Sequence, residues 1–249
     1  MSMPEELDPY FFKKSVLNME NPFCFPSGNY TAEEIIEALS EVLTEERKTR
    51  IEDVVAKRSF QFVPVMENIY DRGNISAVMR SAEAFGFLRC HIIEAENAKF
   101  KAANRVTKGA DKWLDVKVFR TPQESVIELR KNGFQIFATH LHASKPINEI
   151  DFSKPTAIVL GNEKDGVSDE MVSLCDGNVI IPMQGFSQSF NISVAAALLF
   201  YHAFHERVKI FERSGDLSEQ QKLFVTANYY LRTLDNAEKI LERWRLQKS

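Results

Sequence analysis

Between Phe60 and Met183 the chain repeats one pattern, a run of five to eight β-branched, aliphatic or aromatic residues followed in most cases by a stretch with helical spacing. FVPVME (62–67) precedes a helix predicted over Asn74 to Phe85. LRCHIIEA (88–95) and LDVKVF (114–119) precede PQESVIELRKNG, a helix closing at Gly133. QIFATHL (135–141), TAIVL (156–160) and NVIIPM (178–183) complete six predicted strands. Strands this apolar are covered on both faces, and intervening helices carry the chain back so that successive strands run parallel. The pattern therefore predicts an α/β domain with a mostly parallel six-stranded sheet and helices on both faces.

The flanks read differently. Residues 31–57 repeat apolar positions at helical spacing, with Thr31 as N-cap and Glu34 three residues later, the signature of a capping box. A second, almost wholly apolar helix is expected to end near Phe211, ERSGD makes a turn, and Leu217 to Gln247 reads as helix again. The predicted organisation is an N-terminal helical arm (1–58), a sheet domain (59–211) and a C-terminal helical extension (212–249).

Composition excludes several classes. Cys24, Cys90 and Cys175 are widely separated, so neither a disulfide framework nor a structural zinc site is indicated, and a reduced, cytoplasmic protein is the expectation. The opening MSMPEELDPYFFKK is acidic where a signal peptide is basic, and the apolar run near 192–201 is too short to span a bilayer. The formal charge of −4 is unevenly spread: residues 1–41 hold eight acids and two lysines, and removing that −6 leaves +2 for the rest. Within that remainder Lys99, Lys101, Arg105, Lys108, Lys112 and Lys117 are opposed only by Asp111 and Asp115. This is a modest basic patch; on charge alone it reads as a solvated loop with scattered lysines, and RNA binding stays open.

The glycines never form G-x-G-x-x-G, which removes the ordinary dinucleotide site. Gly161-Asn-Glu-Lys-Asp-Gly-Val-Ser168 has the glycine spacing of a phosphate loop, but Val167 stands where a lysine is needed, and Glu163 and Asp165 repel phosphate. His140 with His142, and His202 with His205, lack the further ligands of a metal set, so no metal is assigned. No G-x-S-x-G elbow is present. Three pieces remain, each at the carboxyl end of a predicted strand, where open parallel sheets place their ligand sites. They are Glu67 to Arg80, Leu160 to Gly166, and IPMQGFSQSFNISVAAALLF (181–200), a polar loop running into a helix with almost no polar face. In the first, Asn74 stands at a natural cap position, and Arg80 flanks the apolar stripe of Ile75, Val78, Met79, Ala82 and Phe85; a surface pair of Arg80 with Glu83 is the bland reading. A plain turn and a capped core helix are the bland readings of the other two.

Together the motifs N-I-S-A-V-M-R (74–80), V-L-G-N-E-K-D-G-V-S (159–168) and I-P-M-x-G-x-x-x-S-F-N-I-S-V-A-A-A (181–197) resemble those of the SPOUT class of RNA methyltransferases, and within it the TrmH (SpoU) family of ribose 2′-O-methyltransferases. T-K-G-A-D-K-W (107–113) and the helical flanks are similar to the branch that methylates tRNA. The resemblance implies a C-terminal deep trefoil knot, S-adenosylmethionine as donor, and a homodimer with the active site at the subunit interface. Carried over position by position, it implies a catalytic set of Asn74, Arg80, Glu163, Ser189 and Asn191, and a cofactor pocket lined by Thr139, Gly161, Ile181 and Phe190, the last standing where leucine is usual. The expected RNA contacts are Lys99, Lys101, Arg105, Lys108 and Lys112, with Lys239, Arg243 and Arg245 in the tail. The implied substrate is a guanosine of the tRNA D-loop; a ribosomal RNA substrate, or a catalytically silent RNA-binding protein of the same fold, are the competing expectations.

Overall fold

The computed structural model describes residues 16–94 and 109–248. The chain divides into two compact units, Ser59–Ser214 and the pair of segments Val16–Arg58 and Gly215–Ser249. The second unit begins with an antiparallel hairpin of β1 (Phe23–Phe25) and β2 (Gly28–Tyr30), followed by helices α1 (Ala32–Ser40) and α2 (Glu45–Val55). The capping box forms as its spacing predicts: Thr31 Oγ1 accepts the Glu34 N–H at 3.2 Å and Glu34 Oε2 accepts the Thr31 N–H at 2.8 Å. The helix expected to run through residue 57 is broken, however, because Thr44 caps a new helix by accepting the Arg47 N–H at 3.3 Å. Periodicity could not show this break, since Leu43 in the connecting turn is as buried as a helical core position.

The larger unit is built on β3 (Phe62–Glu67), α3 (Arg72–Ala84), β4 (Arg89–Ile93), β5 (Asp115–Phe119), α4 (Pro122–Lys131), β6 (Gln135–Thr139), β7 (Ser144–Pro146), β8 (Thr156–Leu160), α5 (Asp169–Leu174), β9 (Gly177–Ile180) and α6 (Ile192–Phe211). The strands lie in the order β5-β4-β3-β8-β6-β9-β7, and every pairing is parallel. The sheet has seven strands where six are predicted. The extra one, Ser-Lys-Pro, has no apolar residue, and its proline is tolerated because the strand lies at the sheet edge. Along β3 and β8 side chains alternate between two cores. Phe62, Met66, Ile158 and Leu160 face α3 and α6, whereas Val63, Val65, Ala157 and Val159 face α4 and α5. Both strands are fully buried, which explains why they read as continuous apolar runs. Phe62 anchors the first core, stacked on Phe87 at 4.4 Å between ring centroids and edge-on to Phe200 at 5.5 Å.

Helix α3 starts earlier than predicted. Its N-cap is Asp71, whose Oδ1 accepts the Gly73 N–H at 2.7 Å, so Asn74 is not the cap and its amide is free for other partners. Helix α6 spans the predicted length, but it is not the wholly buried helix that its lack of a polar face implies. Ile192, Ala196, Leu199, Phe200 and Ala203 enter the core, while Val194, Leu198, Tyr201, Ile210 and Phe211 are exposed. The polar loop before it is exposed as well, at Gln184, Ser187, Gln188 and Ser189, so within one chain there is no burial of these groups to offset.

The C-terminal part of the second unit consists of α7 (Glu219–Thr233) and α8 (Ala237–Lys248). Phe224, Val225, Tyr229 and Tyr230 of α7 and Leu241 and Trp244 of α8 are buried. Asn228 joins α7 to the N-terminal segment by accepting the Asn18 N–H at 3.0 Å and donating to the Asn18 carbonyl at 2.8 Å.

In the sheet unit His91 on β4 is fully buried, its Nδ1 2.9 Å from Ser125 Oγ on α4 and its ring against Phe119. Burial, and then the nearby Arg89 and Lys117 cations, depress its pKa from 6.5 to about 3. An unfolded chain therefore binds a proton that the folded chain refuses. This contribution to stability is complete above pH 6.5 and is lost as pH falls towards about 3. His91→Gln, which still offers Ser125 a partner but does not titrate, should lose less stability on acidification. Urea unfolding between pH 6.5 and about 4 should show a slope shallower than wild type by about 1.4 kcal/mol per pH unit.

Candidate active site

Strands β3, β8, β6 and β9 are consecutive in the sheet, with Met66 paired to Leu160, Ala138 to Val159, and Thr139 to Val179. Their carboxyl ends therefore lie in one row, and the segments 68–71, 161–168 and 181–191 leave from it. Neighbouring strands are about 5 Å apart, so Gly161, Thr139 and Ile181 start close together despite their distance in sequence.

Buried Glu67 ends β3 and accepts both the Ser168 N–H at 2.9 Å and the Ser168 Oγ–H at 2.6 Å. This fastens the far end of the 161–168 loop to the strand. The loop is closed by paired backbone bonds between Asn162 and Gly166, both 3.1 Å, and Asn162 Oδ1 accepts the N–H groups of Lys164 at 2.9 Å and Asp165 at 2.7 Å. Gly161 is obligatory here, because a Cβ would lie 2.0 Å from the Gly166 carbonyl carbon and 2.1 Å from the Val167 nitrogen. The closed loop presents Glu163 to the start of α3.

There Glu163 Oε1 accepts from Asn74 Nδ2 at 2.7 Å and Oε2 accepts the Tyr70 N–H at 3.3 Å. Asn74 Oδ1 in turn faces Asn191 Nδ2 at 3.5 Å. Asn191 also caps α6, its Oδ1 accepting the Ser193 N–H at 2.9 Å and the Ser193 hydroxyl at 2.6 Å. Three of the predicted catalytic residues, Asn74, Glu163 and Asn191, thus form one chain of hydrogen bonds linking the three motifs. Partial burial raises the Glu163 pKa, but the hydrogen bond from Asn74 and those from backbone N–H groups outweigh it and hold the carboxyl below its ordinary value. It is a carboxylate locked as an acceptor.

Arg80 lies two turns along α3, exposed, and among the described residues makes no ion pair, so the bland pairing with Glu83 does not form. Ser189 is exposed and makes no hydrogen bond to the described residues. Of the predicted pocket residues, Thr139 donates its hydroxyl to the Val159 carbonyl at 2.8 Å, Ile181 packs half-buried against the α3/α6 core, and Phe190 is 39% exposed. Among the predicted RNA contacts, Lys99, Lys101, Arg105 and Lys108 lie outside the described residues. Lys112 is exposed with its ammonium 4.6 Å from the Trp113 ring centroid, and Lys239 and Arg243 are exposed on α8. Arg245 is committed within its own unit, its guanidinium over the Tyr30 ring at 4.0 Å and hydrogen-bonded to the Asn29 carbonyl.

Two groups at the same strand ends carry no role in the sequence-based reading. One is Glu67. The other is Glu94, buried at the end of β4 and paired with Arg72 of α3 at 2.7 Å, with burial pushing its carboxyl above the usual range. Neither has a local signal, since Glu67 meets its partner 101 residues away. Among the described residues no three His, Cys, Asp or Glu side chains are placed to hold a metal. Ser125 beside His91 is fully buried on the opposite face of the sheet and is not a nucleophile. What the row of strand ends offers is a locked carboxylate and two amides, with the exposed Arg80 guanidinium two turns along α3.

The family model for the SpoU rRNA methylases matches residues 61–201. The tRNA (guanosine(18)-2′-O)-methyltransferase of Aquifex aeolicus is 36% identical over 167 residues, covering 67% of this chain and 79% of the relative. Among solved structures, the A. aeolicus TrmH/SpoU tRNA modifying enzyme superposes with a TM-score of 0.65 at 33% identity, covering 82% of this chain and 97% of that one. The SpoU methyltransferase AviRb of Streptomyces viridochromogenes, in complex with AdoMet, superposes with a TM-score of 0.55 at 27% identity, covering 59% and 60%.

Because Asn74 supplies the side-chain donor to Glu163, Asn74→Ala should raise the midpoint of the Glu163 carboxyl in a carbon-detected NMR titration. An unmoved midpoint assigns the depression to the backbone donors alone.

Proposed function

The chain belongs to the SpoU methylase family, and from that membership we propose that it transfers a methyl group from S-adenosylmethionine to the ribose 2′-oxygen of a guanosine in tRNA. The observation that carries the proposal is the Asn74–Glu163–Asn191 chain of hydrogen bonds, which draws all three motifs to one row of strand ends. The tRNA assignment rests on the A. aeolicus relative and on the match of that structure over most of both chains.

The residues at the strand ends fit the proposed donor. Thr139, Gly161 and Ile181 are uncharged and sit at the ends of adjacent strands, and the half-exposed Phe190 offers an aromatic face to a heterocycle. When bound, S-adenosylmethionine supplies an electrophilic methyl carbon on a positive sulfur, so no metal is needed. The protein's part is to hold the 2′-oxygen in line with that carbon and to assist loss of one proton. A guanidinium offers hydrogen-bond donors and no acceptor, so Arg80 binds the RNA phosphate and polarises the 2′-oxygen instead of accepting its proton. Asn74 and Glu163 orient Arg80 and the ribose. Asn191 anchors the end of the 181–191 segment, which we read as the stretch that threads a trefoil knot, a rare exception among protein topologies, and Ser189 is left on it to meet donor or RNA.

Helix α6 supports a homodimer. Val194, Leu198 and Tyr201 fall four and three residues apart on one face, all exposed and apolar, directly after the 181–191 segment. A second copy seated on that stripe brings the two sites together, so that Arg80 of one protomer acts at the cofactor of the other. No helix among the described residues is long and apolar enough to cross a membrane, and we place the enzyme in the cytoplasm with its substrate.

Arg80→Ala should lower the rate of transfer of labelled methyl to total tRNA by roughly 100- to 1000-fold, with donor affinity by calorimetry unchanged. An equal loss of donor affinity would remove Arg80 from this role. If Lys112, Lys239 and Arg243 contact phosphates with the basic segment at 99–108, tRNA affinity should fall steeply with added salt, and each charge removed should reduce the log–log slope by about one.

A further inference from the structure

Tyr70 is a large aromatic residue left 67% exposed in the middle of the site just described. Isolated exposed rings are common on protein surfaces and by themselves carry no meaning. This one differs in how firmly its position is set. Asn68 adopts a left-handed conformation, φ 50°, while its N–H continues the β3–β4 ladder by donating to the Ile93 carbonyl at 2.9 Å. Ile69 is buried in the core shared by α3 and α6. Tyr70 itself donates its N–H to Glu163 at 3.3 Å, and Asp71 caps α3. Each residue from 68 to 71 is therefore fixed by a separate contact, and the turn directs the one ring among them outward. Backbone held in a sparsely populated region by its surroundings tends to mark functional positions.

We infer that Tyr70 is a stacking platform for the base of the nucleotide whose ribose is methylated. This rests on the proposed RNA substrate and deepens it. A base stays attached to its ribose, so a ribose oriented by Asn74 and Glu163 brings its base to the residue whose backbone is bonded to Glu163. Unpaired loop bases are commonly read by stacking on aromatic side chains, and a ring carried on backbone fixed before binding loses less entropy in doing so. The contact selects for an unstacked, loop-borne nucleotide and is tolerant of base identity, since every base offers a π-face. The phenol hydroxyl is not required.

The test compares wild type, Tyr70→Ala and Tyr70→Phe on tRNA and on the same tRNA made abasic at the methylated position, reading RNA affinity by fluorescence anisotropy alongside methyl transfer. Tyr70→Ala should weaken binding of intact tRNA by roughly 10- to 100-fold, Tyr70→Phe should restore it, and the donor affinity should not change. Wild type should bind the abasic RNA about as poorly as Tyr70→Ala binds either RNA, so that the two losses do not add. Additive losses, or equal affinity of Tyr70→Ala and wild type for intact tRNA, overturn the inference even if wild type methylates normally. Absence of methyl transfer by wild type overturns the proposed function instead, and the affinity pattern still decides the role of Tyr70. Sedimentation distinguishes a dimer contact: dissociation of Tyr70→Ala with tRNA affinity intact also overturns it.

Discussion

A primary amide donates from one end and accepts at the other without carrying charge, and Asn74 uses both ends at once. Its nitrogen serves Glu163 on the loop after β8, and its oxygen faces Asn191 at the cap of α6. Neither an aspartate nor a leucine of similar size could do this, because the first would oppose the carboxylate and the second would offer it nothing. The arrangement of the site depends on this group being released from capping duty. Asp71 performs that duty three residues earlier, which leaves Asn74 inside the first turn of α3 with its side chain directed at the loops.

The sheet makes such a junction possible. Parallel strands put all their carboxyl ends on one side, so segments separated by a hundred residues begin within a few ångströms of one another. What remains is to keep those segments from fraying, and here the buried carboxylates at the strand ends matter. Glu67 fastens Ser168 and Glu94 holds Arg72, each closing a connection that local sequence cannot. Burying a carboxylate is unfavourable unless its oxygens are satisfied; both Glu67 oxygens are, on Ser168, whereas Glu94 bonds Arg72 through Oε1 alone, in keeping with its raised pKa. Site geometry and sheet formation are thereby coupled.

Much of the fold is legible because burial on both faces leaves a plain record. FVPVME and TAIVL are strands over the whole of the predicted spans, since a strand covered on both faces keeps its polar residues, Glu67 and Thr156, at its ends. The edge-strand residues Ser144–Pro146 are not legible, because three polar or ring-locked residues at a sheet edge leave no apolar run to mark the strand. The break between α1 and α2 is hidden for the opposite reason, with Leu43 keeping the apolar rhythm through a turn. In the site, Asn74, Glu163 and Asn191 are recognisable from motif resemblance, while the cap at Asp71 is misplaced by any rule that looks only at the nearest glycine.

The order of strands and helices, the apolar identity of the two cores and the motifs that converge were determined by the sequence alone, because side-chain period and turn chemistry act over a few residues. Tertiary structure decided which polar groups meet and which surfaces stay open. Arg245 was one cation among several until the hairpin carbonyls claimed it, and α6 read as a core helix until Val194, Leu198 and Tyr201 emerged on its outer face. Exposure and pairing are properties of what packs against a residue from elsewhere in the chain, and no local pattern encodes the neighbour.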